Sequence, residues 1–351
     1  MTKKIVTHMN LSHGFRGGER QTELLIQGLS NHDIKQRLIC RKSSPLIARL
    51  QGIPNLEIQV VSDKPDARLS CSFEVDSKTD LVQVHETLAA QSALLQYIFK
   101  HVPYVITRRV DYRIRNNFFN KMIYSKAAEC VGVSSVISNI MADTFGVHVT
   151  TIHDAQANLE INEREASVVR KEWEGRFVVG HVGALVDSHK GQSTLLGAVR
   201  RLQEKIPNLL VVFLGEGVDK EMLMKKAEGL PVAFLGFHNN VADYLSNFDV
   251  FAFPSNNEGL GSSILDAMHL GIPVVATNVG GIPDLVEDGI SGLLIDRGDS
   301  EQLADKIVEL KTNVDLRNGL IANARCVAQN NSVEAMTQQY LAVYEKVWEG
   351  K

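Results

Sequence analysis

The sequence predicts an α/β fold made of two doubly wound domains, each built on a parallel sheet, and three observations support this. Short apolar runs alternate with helical segments along most of the chain, which is typical of parallel sheets covered by helices on both faces. The 351 residues, 44% of them hydrophobic, are enough for two cores. Residues 249–281 form a complete strand–loop–helix–strand unit. We expect domains at 1–160 and 161–331, followed by a final helix at 332–351.

The N-terminal half begins with a predicted strand over residues 4–9, a glycine-containing loop and a helix over 19–29. Gly17 and Gly18 lie in that loop, where glycine lets the backbone approach a ligand and present N–H groups. The alternative is a tight turn that needs a positive φ. Further strands are predicted at 36–41, 56–61, 81–85, 104–107 and 130–134, and helices at 86–99 and 135–145.

A basic segment covers residues 100–126, where seven lysines and arginines face one acidic residue, Asp111. Arg108, Arg109 and Arg113 belong to it, and aromatic residues such as Phe118 are interleaved. Arginine forks suit phosphate oxygens, and basic residues beside aromatic ones suit the headgroup zone of an anionic membrane. The alternative is an ordinary solvated face. Nucleic acid is not expected as a partner, since the chain as a whole is acidic and no reader motif occurs.

Charge is distributed unevenly between the two halves. Residues 1–159 contain 19 Lys+Arg against 14 Asp+Glu, whereas the remainder contains 18 against 27. A basic N-terminal half and an acidic C-terminal half indicate that the N-terminal half meets something anionic.

The C-terminal half begins with a predicted strand over 177–182, followed by a loop that contains Gly183 and Lys190. A second strand, at 209–214, ends at Gly215, and a third, at 232–235, is followed by Phe237. Loops at the carboxyl ends of parallel strands are where open α/β sheets bind ligands. Further helices are predicted at 301–310, 314–328 and 333–348, with a strand at 292–295.

The loop after the strand at 250–253 carries Glu258, and Ser262 and Ser263 open the helix that follows. The N–H groups at this helix start favour an anion, and a loop carboxylate can accept hydrogen bonds from hydroxyls. Asp266 stands three residues after Ser263, so the alternative for this carboxylate is a helix-capping pair.

Glu258, the acidic residue eight positions later, the strand at 272–276 and the Gly-Gly-Ile-Pro sequence at 280–283 resemble the signature of the retaining glycosyltransferases of family 4, in glycosyltransferase group 1. The resemblance covers the C-terminal half and, more loosely, the N-terminal half. It implies the GT-B fold, with two Rossmann-like domains facing across a cleft. The N-terminal domain is then expected to bind the acceptor and the C-terminal one the nucleotide sugar, and the last helix to cross back to the N-terminal domain.

The resemblance also implies site residues. Glu258, His85 and Lys190 are expected at the reacting groups; the alternative for His85 is a packed histidine bonded to backbone. Arg108, Arg109 and Arg113 are expected to bind the acceptor. The residues expected to bind the donor are Gly17, Gly18, Gly183, Lys190, Gly215, Phe237, Glu258, Gly259, Leu260, Gly261, Ser262 and Asp266. The chain departs from the family at Ala184, where an arginine is usual, and at Asp266, where a glutamate is usual.

The predicted reaction is transfer of a sugar from a nucleotide-diphosphate sugar to a glycan or glycolipid acceptor, of the kind found in bacterial surface polysaccharide or lipopolysaccharide biosynthesis. The sequence has no Asp-x-Asp pair, so fixed cations and helix N-termini are expected to neutralise the leaving diphosphate without metal or cofactor. The alternatives are a GT-B nucleotide-sugar epimerase or hydrolase, and a weakly active binding subunit, which Ala184 and Asp266 motivate.

A cytoplasmic location is expected, with peripheral contact at the inner face of the cell membrane. The chain has no apolar run near twenty residues and no apolar signal core near its start. Its four cysteines lack metal-type spacing, which favours a reducing compartment.

Overall fold

A computed structural model of the protein describes residues 3–64, 71–72 and 74–350. The chain divides into two compact units. The first consists of Met1–Ala157 and Val333–Lys351, and the second of Asn158–Ser332.

The first unit is built on a seven-stranded parallel sheet in the order β3-β2-β1-β4-β5-β6-β7. Its strands are β1 (Lys4–Asn10), β2 (Ile34–Arg41), β3 (Leu56–Val61), β4 (Leu81–Val84), β5 (Tyr104–Arg108), β6 (Glu129–Gly132) and β7 (Val149–Thr151). The central strands are continuous apolar runs because both faces of a parallel sheet are covered. All four residues of β4 and all five of β5 are buried.

The helices of the first unit include several that begin at a polar residue that caps them. Ser134 accepts a hydrogen bond from the amide of Ile137, and Asn117 accepts one from Asn120. The helices of this unit are α1 (Gly17–Leu29), α2 (Leu46–Leu50), α3 (Thr87–Lys100), α4 (Phe118–Ser125) and α5 (Ser135–Phe145). The last helix of the chain also belongs to this unit. It spans Val333–Glu349, packs on α1, and places Met336, Tyr340, Val343 and Tyr344 in the unit's core.

The second unit repeats this plan with six parallel strands in the order β10-β9-β8-β11-β12-β13. The strands are β8 (Phe177–Val182), β9 (Leu209–Leu214), β10 (Val232–Gly236), β11 (Val250–Phe253), β12 (Val274–Thr277) and β13 (Leu293–Ile295). The helices are α6 (Glu163–Glu172), α7 (Asp187–Lys190), α8 (Gln192–Lys205), α9 (Lys220–Lys226), α10 (Val241–Leu245), α11 (Ser262–His269), α12 (Ser300–Thr312) and α13 (Val314–Asn330), with a 3-10 turn at Ile282–Asp284. The helix at Val333–Glu349 is therefore α14.

Each sheet has one place where the strand order reverses. In the first unit it lies between β1 and β4, and in the second between β8 and β11. Chains leaving two such strands run to opposite faces of the sheet and open a crevice at their carboxyl ends, which is where ligands bind in doubly wound folds. These two switch points are therefore the candidate ligand-binding sites of the two units.

Four elements were missed by the sequence analysis: α2, α4, α7 and β7. The residues of α4 read as part of a basic and aromatic segment because Phe118 and Phe119, at its start, are exposed rather than buried. The three residues of β7 are too few to show a period. No helix in the described parts of the chain is long and apolar enough to cross a membrane.

Candidate functional site

Lys190 and Glu258 meet at the switch point of the second unit. The Lys190 Nζ donates a hydrogen bond to Glu258 Oε2 and forms an ion pair with it. Their side chains are 23% and 15% exposed, so both remain reachable from solvent. Lys190 Nζ also lies 5.1 Å from the centre of the Phe253 ring, at the end of β11. Two residues 68 positions apart thus form a single charged pair beside the sheet edge.

Local structure holds this pair in place. The sequence predicted Lys190 in a loop, but it ends the short helix α7, after which Gly191 adopts φ +61°. The carbonyl of His189 accepts hydrogen bonds from the amides of Asn256 and Asn257, at 2.8 and 3.2 Å. The loop that carries Lys190 is therefore tied to the loop that carries Glu258.

Helix α11 begins next to Glu258. Its N-cap is Gly261, which has φ +93° and no side chain with which to cap the helix. Since the first amides of a helix have no intrahelical acceptor, the N–H groups of Ser262 and Ser263 face the loop region without a side-chain cap. Gly259 and Leu260 complete the loop, and the Glu258 carbonyl accepts from the amide of Gly281 at 3.1 Å.

The helix-capping alternative for Asp266 is wrong. A capping pair would need Ser263 at the N-cap, but the N-cap is Gly261 and Ser263 is the second helical residue. Asp266 lies in the middle of α11 and is half-buried.

Gly183 and Gly215 lie against each other at the ends of β8 and β9. Gly215 has φ +138°, and a Cβ on it would stand 2.0 Å from the Gly183 carbonyl oxygen, so only glycine fits. A Cβ on Gly183 would stand 3.3 Å from His181 Nε2 and 3.8 Å from Lys190 Cδ. Phe237, after β10, is 66% exposed, and Ala184 is exposed.

His181 lies on β8, next to this region. Its ring is fully buried, and its Nδ1 donates to the Ala252 carbonyl at 3.0 Å. Burial lowers the pKa of His181 to about 4, a shift that the Ala252 hydrogen bond opposes and nearby Lys190 reinforces. The imidazole is therefore neutral at physiological pH.

At the switch point of the first unit, His85 follows β4 and is only 4% exposed. Its Nε2 lies 3.0 Å from Nδ1 of His8 on β1, and the Arg109 guanidinium donates to its carbonyl at 3.3 Å. Burial holds the pKa of His85 well below its usual value, with smaller contributions from His8 and Arg109. Burial also lowers the pKa of His8 to about 4, against a hydrogen bond to Gln36 that raises it.

Gly17 and Gly18 were predicted in a loop, but they form the first turn of α1, which begins at Gly17. The Glu19 carboxylate accepts a hydrogen bond from the backbone N–H of Arg16 there, at 2.9 Å. A Cβ on Gly18 would stand 3.7 Å from Arg109 Cδ, so this helix start lies beside Arg109.

The three arginines predicted on one basic surface have different environments. Arg108 is 8% exposed and donates to the Tyr112 carbonyl. The Arg109 side chain is 9% exposed and pairs with Asp154 at 3.0 Å. Arg113 is exposed, in the segment before α4. The expectation of a common basic surface is wrong for Arg108 and Arg109, because both side chains turn into the unit, where a carbonyl or carboxylate accepts from them.

The two cavities found on the units, of about 430 and 340 Å³, are lined by other residues, among them Trp348 and Val327. The candidate site is therefore marked by charged side chains and backbone amides that lie close together, and not by either of these cavities. No group of three or more His, Cys, Asp or Glu side chains in the described ranges is arranged to hold a metal ion.

Four residues of these switch points were missed by the sequence analysis: His8, Gln36, Asp154 and His181. Asp154 was identified only in the structure, as the ion-pair partner of Arg109. His181 did carry a signal, since it is a lone polar residue inside the apolar strand β8, which leads to a switch point. His8 has polar neighbours in β1 and does not stand out in the same way.

Comparison with known proteins finds similarities that lie mainly in the second unit. Residues 163–327 match the model of the family described as glycosyl transferases group 1. The chain is 35% identical over 135 residues to the sulfoquinovosyl transferase SQD2 of Arabidopsis thaliana, covering 37% of this chain and 26% of that protein. It is 34% identical over 169 residues to the lipopolysaccharide core biosynthesis glycosyltransferase LpsE of Rhizobium meliloti, covering 47% and 48%. The chain thus spans about a quarter and about half of these two relatives.

Among solved structures, the chain is similar to Anabaena Alr3699/HepE in complex with UDP-glucose, with a TM-score of 0.86 and 19% identity over 97% of this chain and 99% of that one. At this identity the likeness shows the fold alone. The predicted GT-B fold is confirmed, with its two doubly wound parallel-sheet domains. Together the matches show that the second unit is similar to the group 1 glycosyltransferases.

Proposed function

We propose that this protein is a glycosyltransferase that moves a sugar from a nucleotide-diphosphate sugar to a glycan or glycolipid acceptor. The second unit binds the donor, and the first unit binds the acceptor. The observation that carries the proposal is the Lys190–Glu258 pair beside the amides of α11, at a switch point inside the segment that matches the group 1 family.

The pair is suited to exchange partners when the donor binds. A diphosphate carries more negative charge than one carboxylate, so Lys190 Nζ turns to the phosphate oxygens and leaves Glu258. Glu258 then accepts hydrogen bonds from hydroxyls of the donor sugar, and the amides of Ser262 and Ser263 face the same anion. Both cation and amides are already in place when charge develops on the leaving group, which is the arrangement that lowers a barrier.

We propose that the reaction retains the anomeric configuration and proceeds without metal. The acceptor oxygen forms a bond to the anomeric carbon on the face from which the diphosphate departs. The bond from that carbon to the phosphate oxygen breaks with its electron pair, and that oxygen takes the acceptor proton. Lys190 and the helix amides neutralise the diphosphate, so the step needs no further base.

The remaining predicted residues take roles around this step. We propose that Gly183, Gly215 and Phe237 border the donor, with Phe237 exposed for contact with the base, and that Asp266 binds the ribose. In the first unit, Gly17, Gly18 and His85 border the reacting sugar, and Arg108, Arg109 and Arg113 belong to the acceptor region. Since Arg108 and Arg109 are buried, they shape that region, and Arg113 is the one placed to touch an acceptor.

We propose that the surface around α4 contacts an anionic membrane. Phe118 is 81% exposed and Tyr112 is 52% exposed. The neighbouring basic side chains are exposed as well: Arg113, Arg115, Lys121 and Lys126. Exposed aromatics among cations fit the headgroup zone, and a peripheral position at the inner face of the cell membrane suits a lipid-linked acceptor in surface polysaccharide or lipopolysaccharide biosynthesis.

A thermal-shift screen tests the donor assignment. UDP, GDP, ADP and their sugar conjugates are added to the protein, and the true nucleotide raises the melting temperature because it prefers the folded state. Lys190→Ala should lose most of that shift, whereas Lys306→Ala, which removes an exposed lysine on α12, should keep it. Equal shifts in Lys190→Ala and the parent protein would contradict the diphosphate role of Lys190.

Two further measurements separate this proposal from its alternatives. An epimerase or hydrolase releases nucleotide from the sugar nucleotide without any acceptor, at a rate comparable to the full reaction. A transferase releases it mainly when acceptor is present. Loss of turnover on adding a chelator would overturn the metal-independent step.

A further inference from the structure

The buried histidine pair of the first unit belongs to a longer chain of hydrogen bonds, which begins at α1. Gln36 Nε2 donates to the Ile26 carbonyl at 3.0 Å, and Gln36 Oε1 lies 3.1 Å from His8 Nε2. His8 Nδ1 lies 3.0 Å from His85 Nε2. The chain therefore runs from a backbone carbonyl through an amide and two imidazoles to His85.

The donor of each hydrogen bond in this series can be deduced from the first bond, at the Ile26 carbonyl. The Ile26 carbonyl can only accept, so the amide nitrogen of Gln36 must face it and the amide oxygen must face His8. That oxygen can only accept as well, so His8 Nε2 carries the hydrogen. In a neutral imidazole the other nitrogen is then a bare acceptor. His8 Nδ1 thus accepts from His85 Nε2, and the hydrogen of His85 lies on Nε2.

The remaining nitrogen of His85, Nδ1, is then a bare acceptor. It is buried and has no hydrogen-bond partner in the described parts of the chain. Arg109, which donates through Nη1 to the His85 carbonyl, has a buried Nη2 that also lacks a partner there. A buried polar atom without a partner is destabilising, so both atoms are positions that a bound polar group would satisfy.

We propose that Gln36 and His8 are positioning residues that fix the tautomer of His85, so that His85 Nδ1 accepts a hydrogen bond from a hydroxyl of the reacting sugar or acceptor. A hydroxyl donates through its hydrogen and accepts through its oxygen, so it is complementary to a bare imidazole nitrogen with an arginine N–H on the neighbouring group. The role in sugar transfer rests on the proposed function, whereas the tautomer does not.

Burial supports a tautomer that stays the same over a wide pH range. His8 is fully buried and His85 nearly so, and the nearest cation, the Arg109 guanidinium, also disfavours protonation of His85. The rings lie with centroids 5.2 Å apart and planes 22° apart, which suits a hydrogen bond within the plane of each ring. The pair therefore offers a fixed acceptor rather than a titrating base.

Nitrogen-15 NMR of the full chain, labelled at its histidines, tests the tautomer directly. Long-range proton–nitrogen spectra distinguish a bare ring nitrogen from a protonated one, and His85→Asn and His8→Asn identify the signals. We expect His85 Nδ1 and His8 Nδ1 to be bare and both Nε2 atoms to carry hydrogen. A proton on His85 Nδ1 in the parent protein would overturn the proposal, whatever the activity.

Variants of Gln36 test the positioning role. Gln36→Leu removes the acceptor that orders His8, so a second tautomer of His85 should appear and kcat should fall at least fivefold while KM for the nucleotide sugar stays within twofold. Thr7→Val is the matched control, because it removes a buried side-chain hydrogen bond, to Thr79, from β1 without touching the histidines.

Rates are measured as nucleotide release from UDP-glucose, UDP-galactose, UDP-N-acetylglucosamine, GDP-mannose and ADP-glucose. A shifted tautomer with unchanged kcat in Gln36→Leu would overturn the positioning role. If the parent protein bound and turned over none of these donors, the proposed function would fail while the NMR spectra still decided the tautomer.

Discussion

The two switch points of this protein hold opposite kinds of polar group. In the second unit, Lys190 and Glu258 face each other as full charges and stay partly exposed. In the first unit, His8 and His85 are buried and neutral. A charged pair can exchange its partner for an anionic ligand, whereas a neutral buried pair can only donate or accept at fixed atoms. On the function proposed above, this difference suits the second unit to a diphosphate and the first to hydroxyl groups.

The largest expected effect is a difference in acid sensitivity between the units. His8 and His181 have folded-state pKa values of about 4, below the usual 6.5, so between pH 4 and 6.5 the unfolded chain binds more protons. Stability is therefore fully present above pH 6.5 and falls as the pH is lowered. At pH 5 each of these two histidines removes about 2 kcal/mol. His85, whose pKa is also lowered, adds to the loss in the first unit.

The two tryptophans report on the units separately. Trp173 lies in the second unit and Trp348 in the first, so Trp348→Phe and Trp173→Phe each leave one fluorescent reporter for urea unfolding. From pH 7 to pH 5 the first unit should lose more stability than the second, and between pH 7 and pH 8 the difference should change little. A larger loss of stability in the second unit would contradict the predicted difference between the units.

A second expectation concerns the buried arginine of the first unit. Arg109→Leu removes the buried ion pair between Arg109 and Asp154, which should lower the free energy of unfolding by about 3 kcal/mol. Arg113→Leu, at an exposed position, should change it by less than about 0.5 kcal/mol. Urea unfolding measures both, and equal effects would show that Arg109 lies on the surface after all.

The charged pair of the second unit should matter for turnover rather than for folding. Lys190→Ala and Glu258→Ala should each lower kcat/KM at least tenfold, equivalent to about 1.4 kcal/mol of transition-state stabilisation. Lys306→Ala, which breaks an exposed pair with Glu309, should leave it unchanged. A Glu258→Ala enzyme with full activity would remove the reason for calling this switch point the donor site.

The smallest expected effect is a gain. Ala184 is exposed beside Gly183, in the loop that follows β8, and a cation there would add to Lys190 at the diphosphate. Ala184→Arg should tighten nucleoside diphosphate binding about threefold, or about 0.6 kcal/mol. Calorimetry with the nucleotide found in the thermal-shift screen checks this, and Ala184→Gln controls for side-chain size. Equal affinities for the arginine and glutamine variants would mean that no phosphate lies near residue 184.

The strands and their order of appearance could be predicted from the sequence because buried parallel strands, such as Leu209–Leu214, are continuous apolar runs. Lys190 and Glu258 were each predicted, but not their pairing. That contact depends on which strands are neighbours, and β8 and β11 are far apart in the chain. For the same reason, the sequence did not reveal the series of hydrogen bonds from Gln36 to His85. Arg108 and Arg109 were wrongly predicted at the surface, because the sequence does not show whether a buried carbonyl or carboxylate is close enough to accept from an arginine.

The return of α14 to the first unit makes that unit discontinuous in the sequence, with the second unit inserted between its two parts. Tyr340 shares a hydrogen bond with Thr107, and Tyr344 donates one to Gln83, both inside the core. A ribosome that has just finished residue 157 has therefore made a sheet whose covering helix does not yet exist. The inserted unit can complete its own fold earlier, since all its strands are made before α14 emerges. Maturation of the first unit must consequently wait for α14, and stalled or prematurely terminated chains would display a mature second unit and an unfinished first one.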